Sequence, residues 1–128
     1  MNRSLILVVD DDSSVRRVMK MQLEEAGYEV ALAASGEQAR TMIDEQQPKL
    51  VITDLRMPSA DGIELLRYVR DQHLETTVII ITAFGSVESA VEAMKVGAYD
   101  YVTKPIDYEA LVLAVDRAME RQNLLEEV

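Results

Sequence analysis

A chain of 128 residues has room for one domain with a real core but not for two ordinary ones, and 48% hydrophobic with 28% charged residues excludes a disordered polymer. The formal net charge of -10 opposes a nucleic-acid backbone, so direct binding of DNA or RNA by this domain is not expected. No run reaches the roughly 20 apolar residues of a membrane span, residues 1–4 lack a signal-peptide pattern, and there is no cysteine for a disulfide, all of which points to a cytoplasmic setting without membrane association.

In chain order, Leu5 to Val9 is short, entirely apolar and rich in branched residues, as in a strand covered on both faces. Val15, Val18, Met19, Gln22, Leu23 and Ala26 then fall near one helical stripe, with Asp12 or Ser13 as N-cap and Gly27 as stop. Tyr28 to Ala33 is a weaker strand whose Glu29 suits a sheet edge. Ser35 and Gln38 predict a capping box for a helix carrying Ala39, Met42 and Ile43 and ending before Pro48.

Leu50 to Thr53 is the next strand and delivers Asp54. Asp61 and Glu64 predict a second capping box, opening a helix that buries Ile63, Leu65, Leu66 and Val69. Val78 to Ile81 is the most continuous apolar strand and is expected at the centre of the sheet. Ser86 can cap a helix carrying Val87, Ala90, Val91 and Met94, closed by Gly97. Tyr99 to Val102 is the fifth strand, and Asp107 caps a last helix turning Leu111, Ala114, Val115 and Ala118 to the sheet. Leu124 and Leu125 carry the apolar pattern further, so residues 1–121 are expected to form the domain and 122–128 a helical extension or the start of a linker.

Five strands alternating with five helices predict an α/β fold, a three-layer (βα)5 sandwich around a parallel five-stranded sheet with right-handed crossovers. The strand order 2-1-3-4-5 is taken from flavodoxin-like precedent. Such sheets bind ligands beyond the carboxyl ends of their strands, where this order gathers Asp10, Asp11 and Asp12, then Asp54, Thr82 and Lys104. Clustered aspartates repel one another unless protons or a cation compensate, and hard carboxylate oxygens suit Mg²⁺. Asp10 and Asp11 are the better ligands, because Asp12 can serve as helix cap. If the cation's partner is a phosphoryl group, the Thr82 hydroxyl and the Lys104 ammonium can stabilise its oxygens, and Asp54 can be the nucleophile that accepts it.

Val8-Val9-Asp10-Asp11, Asp54, Met57-Pro58 through Asp61-Gly62, Thr82-Ala83 and Lys104-Pro105 together resemble the receiver domain of two-component response regulators, over roughly Ser4 to Arg121. The resemblance implies that Asp54 accepts a phosphoryl group from a phosphohistidine of a sensor histidine kinase. It implies Asp11, Asp54 and the Arg56 carbonyl as ligands of Mg²⁺, for which Mn²⁺ can substitute, with Asp10 acting largely through water. It also implies phosphoryl contacts from Thr82 and Lys104, a cis Lys104-Pro105 bond, and a switch in which Thr82 moves and Tyr101 turns inward. The output face would combine the fourth helix, the fifth strand and the last helix, with a homodimer through that face or through the C-terminal helix.

The stretch Thr82 to Lys95 with Gly97 to Tyr101 is similar to regulators of nitrogen or dicarboxylate genes that act through a sigma-54 activating ATPase, which implies a transcriptional output domain beyond this sequence. Arg56 and Phe84 offer no carboxamide or carboxylate to orient water, so a long-lived phosphoryl aspartate is expected. The alternative is a Mg²⁺-dependent phosphohydrolase with an Asp nucleophile. It is disfavoured because Arg56 stands where the common hydrolase arrangement has a second Asp. His73 is expected to be a surface loop residue, and Arg16 and Arg17, near the acidic site on the first helix, a solvated face, with docking of a kinase helical bundle as the alternative.

Overall fold

The structure is a computed structural model that describes residues 5–56, 62–73, 75–83 and 87–127. Its elements are β1 (Leu5–Val9), α1 (Ser13–Glu25), β2 (Glu29–Ala33), α2 (Gly36–Gln46), β3 (Leu50–Asp54), α3 (Gly62–Gln72), β4 (Thr77–Thr82), α4 (Val87–Val96), β5 (Asp100–Thr103) and α5 (Tyr108–Glu127). All four strand pairings are parallel, and the order is β2-β1-β3-β4-β5. The predicted architecture is therefore the observed one. β4 is buried along its whole length as expected, but β3 holds the middle position.

Because side chains alternate along a strand, the apolar runs feed two separate cores. Leu7, Val9, Val51, Val78 and Ile80 meet Ala39, Ile43, Leu65, Leu66, Val69 and Ala93 of α2, α3 and α4. On the other face Ile6, Val8, Leu50, Ile52, Ile79 and Ile81 meet Met19 and Leu23 of α1 and Leu111, Ala114, Val115, Ala118 and Met119 of α5.

The helix ends follow capping chemistry. Asp12 is the N-cap of α1, its carboxylate accepting the Ser14 amide at 2.8 Å, and Gly27 takes φ +100° just past that helix. The Ser35 hydroxyl accepts the Gln38 amide at 3.2 Å. The Gln38 side chain, however, reaches back to the Ala34 amide at 2.8 Å, one residue before the cap that a standard box would close on. Asp107 caps α5 by accepting the amides of Glu109 and Ala110 at 3.1 and 3.3 Å. Asp61 and Ser86, the two other predicted caps, lie outside the described residues.

The apolar residues of α4 divide between its two faces. Among its described side chains Ala90 and Ala93 are buried, whereas Val91 and Met94 are 47% and 41% exposed beside the equally open Tyr101 of β5. Val96 packs partly buried against the core, and Val91 and Met94 are left on the outside. Together with Tyr101 they line a shallow cavity of about 330 Å³.

Candidate functional site

Four strand ends converge at one edge of the sheet. β1 delivers Asp10, β3 ends in Asp54, β4 ends in Thr82, and the residue after β5 is Lys104. In register, Thr82 stands opposite Thr103, and the Lys104 amide donates to the Thr82 carbonyl at 2.8 Å. The Lys104-Pro105 bond is cis. Below the site, Gly62 donates its amide to the Leu55 carbonyl at 2.8 Å, and a methyl group on it would stand 2.6 Å from the Asp54 carbonyl oxygen. Only a residue without a side chain fits there.

One carboxylate oxygen from each of Asp10, Asp11 and Asp54 lies within 4.8 Å of the others. Asp10 and Asp54 are buried and Asp11 is exposed. The Asp54 Oδ1 accepts the Arg56 amide at 3.1 Å, and its Oδ2 accepts from the Lys104 ammonium at 2.9 Å. Lys104 is also 3.6 Å from Asp10 Oδ2. Asp10 Oδ1 accepts the Asp12 amide at 2.9 Å, while Asp10 Oδ2 and the buried Thr82 hydroxyl have no hydrogen-bond partner among the described residues.

These contacts set the electrostatics. Burial pushes the Asp10 carboxyl above its ordinary range, and the charges of Asp54 and Asp11 push it further against the opposing Asp12 amide and Lys104. Burial works against the charge on Lys104, but its hydrogen bond to Asp54 and the charges of Asp10 and Asp54 outweigh that and raise it. The Tyr108 phenol is raised by burial and by the Asp10 charge. A cluster of hard oxygens with an orphaned buried carboxylate oxygen and an orphaned hydroxyl fits a divalent cation and an oxyanion ligand.

A family model for the response regulator receiver domain matches residues 6–116. The chain belongs to this receiver family. Regulatory protein AtoC of Escherichia coli strain K12 is 41% identical over 123 residues, covering 96% of this chain and 27% of that protein. Transcriptional regulatory protein ZraR of the same strain is 45% identical over 114 residues, covering 89% of this chain and 26% of its own. The crystal structure of a response regulator receiver domain protein from Clostridium thermocellum superposes with a TM-score of 0.91 at 35% identity, covering 95% of this chain and 98% of the other. This receiver spans about a quarter of the length of the curated relatives it matches. Receiver domains bind Mg²⁺ at an aspartate cluster and interact with histidine kinases, and Asp10, Asp11 and Asp54 form such a cluster here. The family and the relatives give the phosphohydrolase alternative no support.

The receiver brings together Asp10, Asp11, Asp54 and Lys104 as the sequence predicts, and places Thr82 at the adjoining strand end. Arg56 is exposed and touches Asp54 through its amide, and Tyr101 lies on the outer face of β5. Phe84 lies outside the described residues.

Arg16 is not the solvated residue expected, because its side chain is half-buried and donates to the Asp10 carbonyl at 2.7 Å. His73 lies just past α3 as expected, and it has a side-chain partner. Its Nε2 is 2.8 Å from Asp44, whose carboxylate also accepts from the Tyr68 hydroxyl at 2.7 and 2.8 Å, with the Arg40 guanidinium 5.0 Å from the Tyr68 ring centre. No helix in the described residues is long and apolar enough to cross a membrane.

Proposed function

We propose that this receiver is a phosphorylation-controlled switch in which Asp54 accepts a phosphoryl group from the phosphohistidine of a sensor histidine kinase. Support comes chiefly from one arrangement: the Asp54 carboxylate is 2.9 Å from the Lys104 ammonium and has an oxygen within 4.8 Å of those of Asp10 and Asp11. An Asp54 oxygen attacks phosphorus as the P–N bond of the donor breaks. The electron pair stays on the imidazole, which leaves neutral when its other ring nitrogen carries a proton.

Lys104 exchanges its hold on the carboxylate oxygen for the incoming phosphoryl oxygens, and the Thr82 hydroxyl donates to them. Asp10, Asp11, Asp54 and the Arg56 carbonyl would hold Mg²⁺ or Mn²⁺. The bound cation supplies compensating charge for the aspartates and for the phosphoryl oxygens.

Thr82, once drawn to the phosphoryl group, vacates its resting place behind β4, and Tyr101 turns inward beside Val91 and Met94. The altered α4-β5-α5 face then controls an output domain following residues 122–128, transcriptional by analogy with the relatives, in a cytoplasmic protein that pairs with a second copy through this face or through α5. Since Arg56 presents no group that orients water, the phosphoryl aspartate is long-lived.

Intact-protein mass after exposure to acetyl phosphate tests the central step. One Mg²⁺-dependent phosphoryl addition, absent from Asp54→Asn, is expected. Folded wild-type protein that binds Mg²⁺ yet gains no phosphoryl mass would overturn the proposal. Decay of the added mass within seconds would overturn the long lifetime alone.

A further inference from the structure

We infer that Arg16 is a positioning residue for the cation site, an inference that rests on reading Asp10, Asp11 and Asp54 as ligands of Mg²⁺. Paired register along β1 ends at Val9, and the last main-chain link to β2 is the Asp10 amide, which donates to the Ala33 carbonyl at 3.2 Å. From that point the chain must turn through Asp10, Asp11 and Asp12 into α1 without a strand partner. The Arg16 side chain ties this turn to α1. Its guanidinium Nη1 donates to the Asp10 carbonyl at 2.7 Å, whereas the bond from its amide to the Asp12 carbonyl at 3.1 Å is the ordinary first main-chain bond of α1 and would survive any substitution here but proline. The side-chain bond thus holds the peptide joining Asp10 to Asp11, next to which one oxygen of the exposed Asp11 lies within 4.8 Å of the carboxylate oxygens of Asp10 and Asp54.

Two physical effects of Arg16 oppose each other. A guanidinium close to the site repels a divalent cation, so on charge alone its loss would tighten binding. Holding the ligands in place before the cation arrives removes an ordering cost, so on positioning its loss weakens binding. The short charge-assisted bond to a carbonyl of the site itself makes positioning the larger effect. Arg17, its neighbour, is exposed on the outer side of α1 and serves as a control with the same charge.

The experiment is a calorimetric titration of the metal-free protein with Mg²⁺, backed by acetyl phosphate labelling across a range of Mg²⁺ concentrations. Arg16→Ala is expected to raise the Kd for Mg²⁺ roughly tenfold, with labelling restored to the wild-type plateau at high Mg²⁺. Arg16→Lys should recover most of the affinity, and Arg17→Ala should stay within about twofold of wild type. A protein that has merely lost stability would show a lower plateau that Mg²⁺ does not restore. If Arg16→Ala does not fold, Arg16→Met keeps the apolar stem and carries the same expectation. Unchanged or tighter Mg²⁺ binding in the uncharged variants overturns the inference. Wild-type protein that takes up no Mg²⁺ overturns both the inference and the reading beneath it. Wild-type protein that binds Mg²⁺ but accepts no phosphoryl group overturns the acceptor role of Asp54 alone.

Discussion

Asp10 carries the clearest conflict between folding and site chemistry. Its carboxylate is buried, one oxygen lacks a hydrogen-bond partner among the described residues, and the charges of Asp54 and Asp11 stand beside it. Asp10→Asn removes the buried charge while leaving an oxygen for the Asp12 amide. In metal-free buffer at neutral pH the variant should therefore melt roughly 2–5 °C above wild type by calorimetry, while losing most of the further rise that Mg²⁺ gives. Gly62 presents the reverse case, a residue the site cannot exchange. Its substitution by Ala puts a methyl group 2.6 Å from the Asp54 carbonyl oxygen and 2.8 Å from the Leu55 Cα, both main-chain atoms with little room to move. Denaturant titration should show Gly62→Ala to be about 1–3 kcal/mol less stable, with slower phosphoryl labelling.

Between elements, hydrogen bonds secure contacts that apolar packing leaves open. Asp44 of α2 joins Tyr68 of α3 and His73 just beyond it. The hydrogen bond from Tyr68, then that from His73, hold the Asp44 carboxyl below its ordinary value of 3.8. A carboxyl depressed by folding contributes stability that is present above the ordinary value and is lost as pH falls through the depressed one. Asp44→Asn should therefore flatten the acid limb of the melting temperature against pH below about 4. At the other end of the sheet, the buried Gln122 of α5 donates to the Glu75 carbonyl at 2.5 Å and to the Thr77 hydroxyl at 2.6 Å. Gln122→Ala removes both bonds and leaves the buried Thr77 hydroxyl only the longer contact from the Arg121 guanidinium at 3.4 Å, costing about 1 kcal/mol and speeding amide exchange in the last turns of α5.

Those same contacts mark where sequence patterns stop being informative. Strands such as Val78 to Ile81 are legible because every position is apolar and both faces are covered. In α4 the apolar residues fall on both faces, so period alone does not tell that Ala90, Ala93 and Val96 are covered while Val91 and Met94 are exposed. His73 and Asp44 are 29 positions apart, and Gln122 and Thr77 45, distances at which no local pattern announces a hydrogen bond. The aspartates, Thr82 and Lys104 were legible as a set because strand ends in a parallel sheet share an edge. Arg16 reads as a solvated residue in the sequence because its target is a main-chain carbonyl, which carries no residue-type signal.

For the whole molecule, the acidic site and the net charge of -10 make stability and cation binding one problem. A cation that binds the folded chain and not the unfolded one stabilises it by about 2.7 kcal/mol at a hundred times its Kd. Chelation should accordingly lower the melting temperature of wild type by several degrees and leave a variant without the Asp10 and Asp11 carboxylates unmoved; calorimetry with and without chelator checks this.

α5 has a mechanical property of its own. It begins one residue after the Asp107 cap, close to Lys104, and is pinned again by Gln122 at the opposite edge of the sheet. Its 20 residues make a rod of roughly 30 Å at 1.5 Å per residue. Pivoting such a rod by about 5° at its Lys104 end would carry the far end sideways by roughly 2–3 Å, a stroke comparable to a bond length or two and obtained without unfolding a single turn.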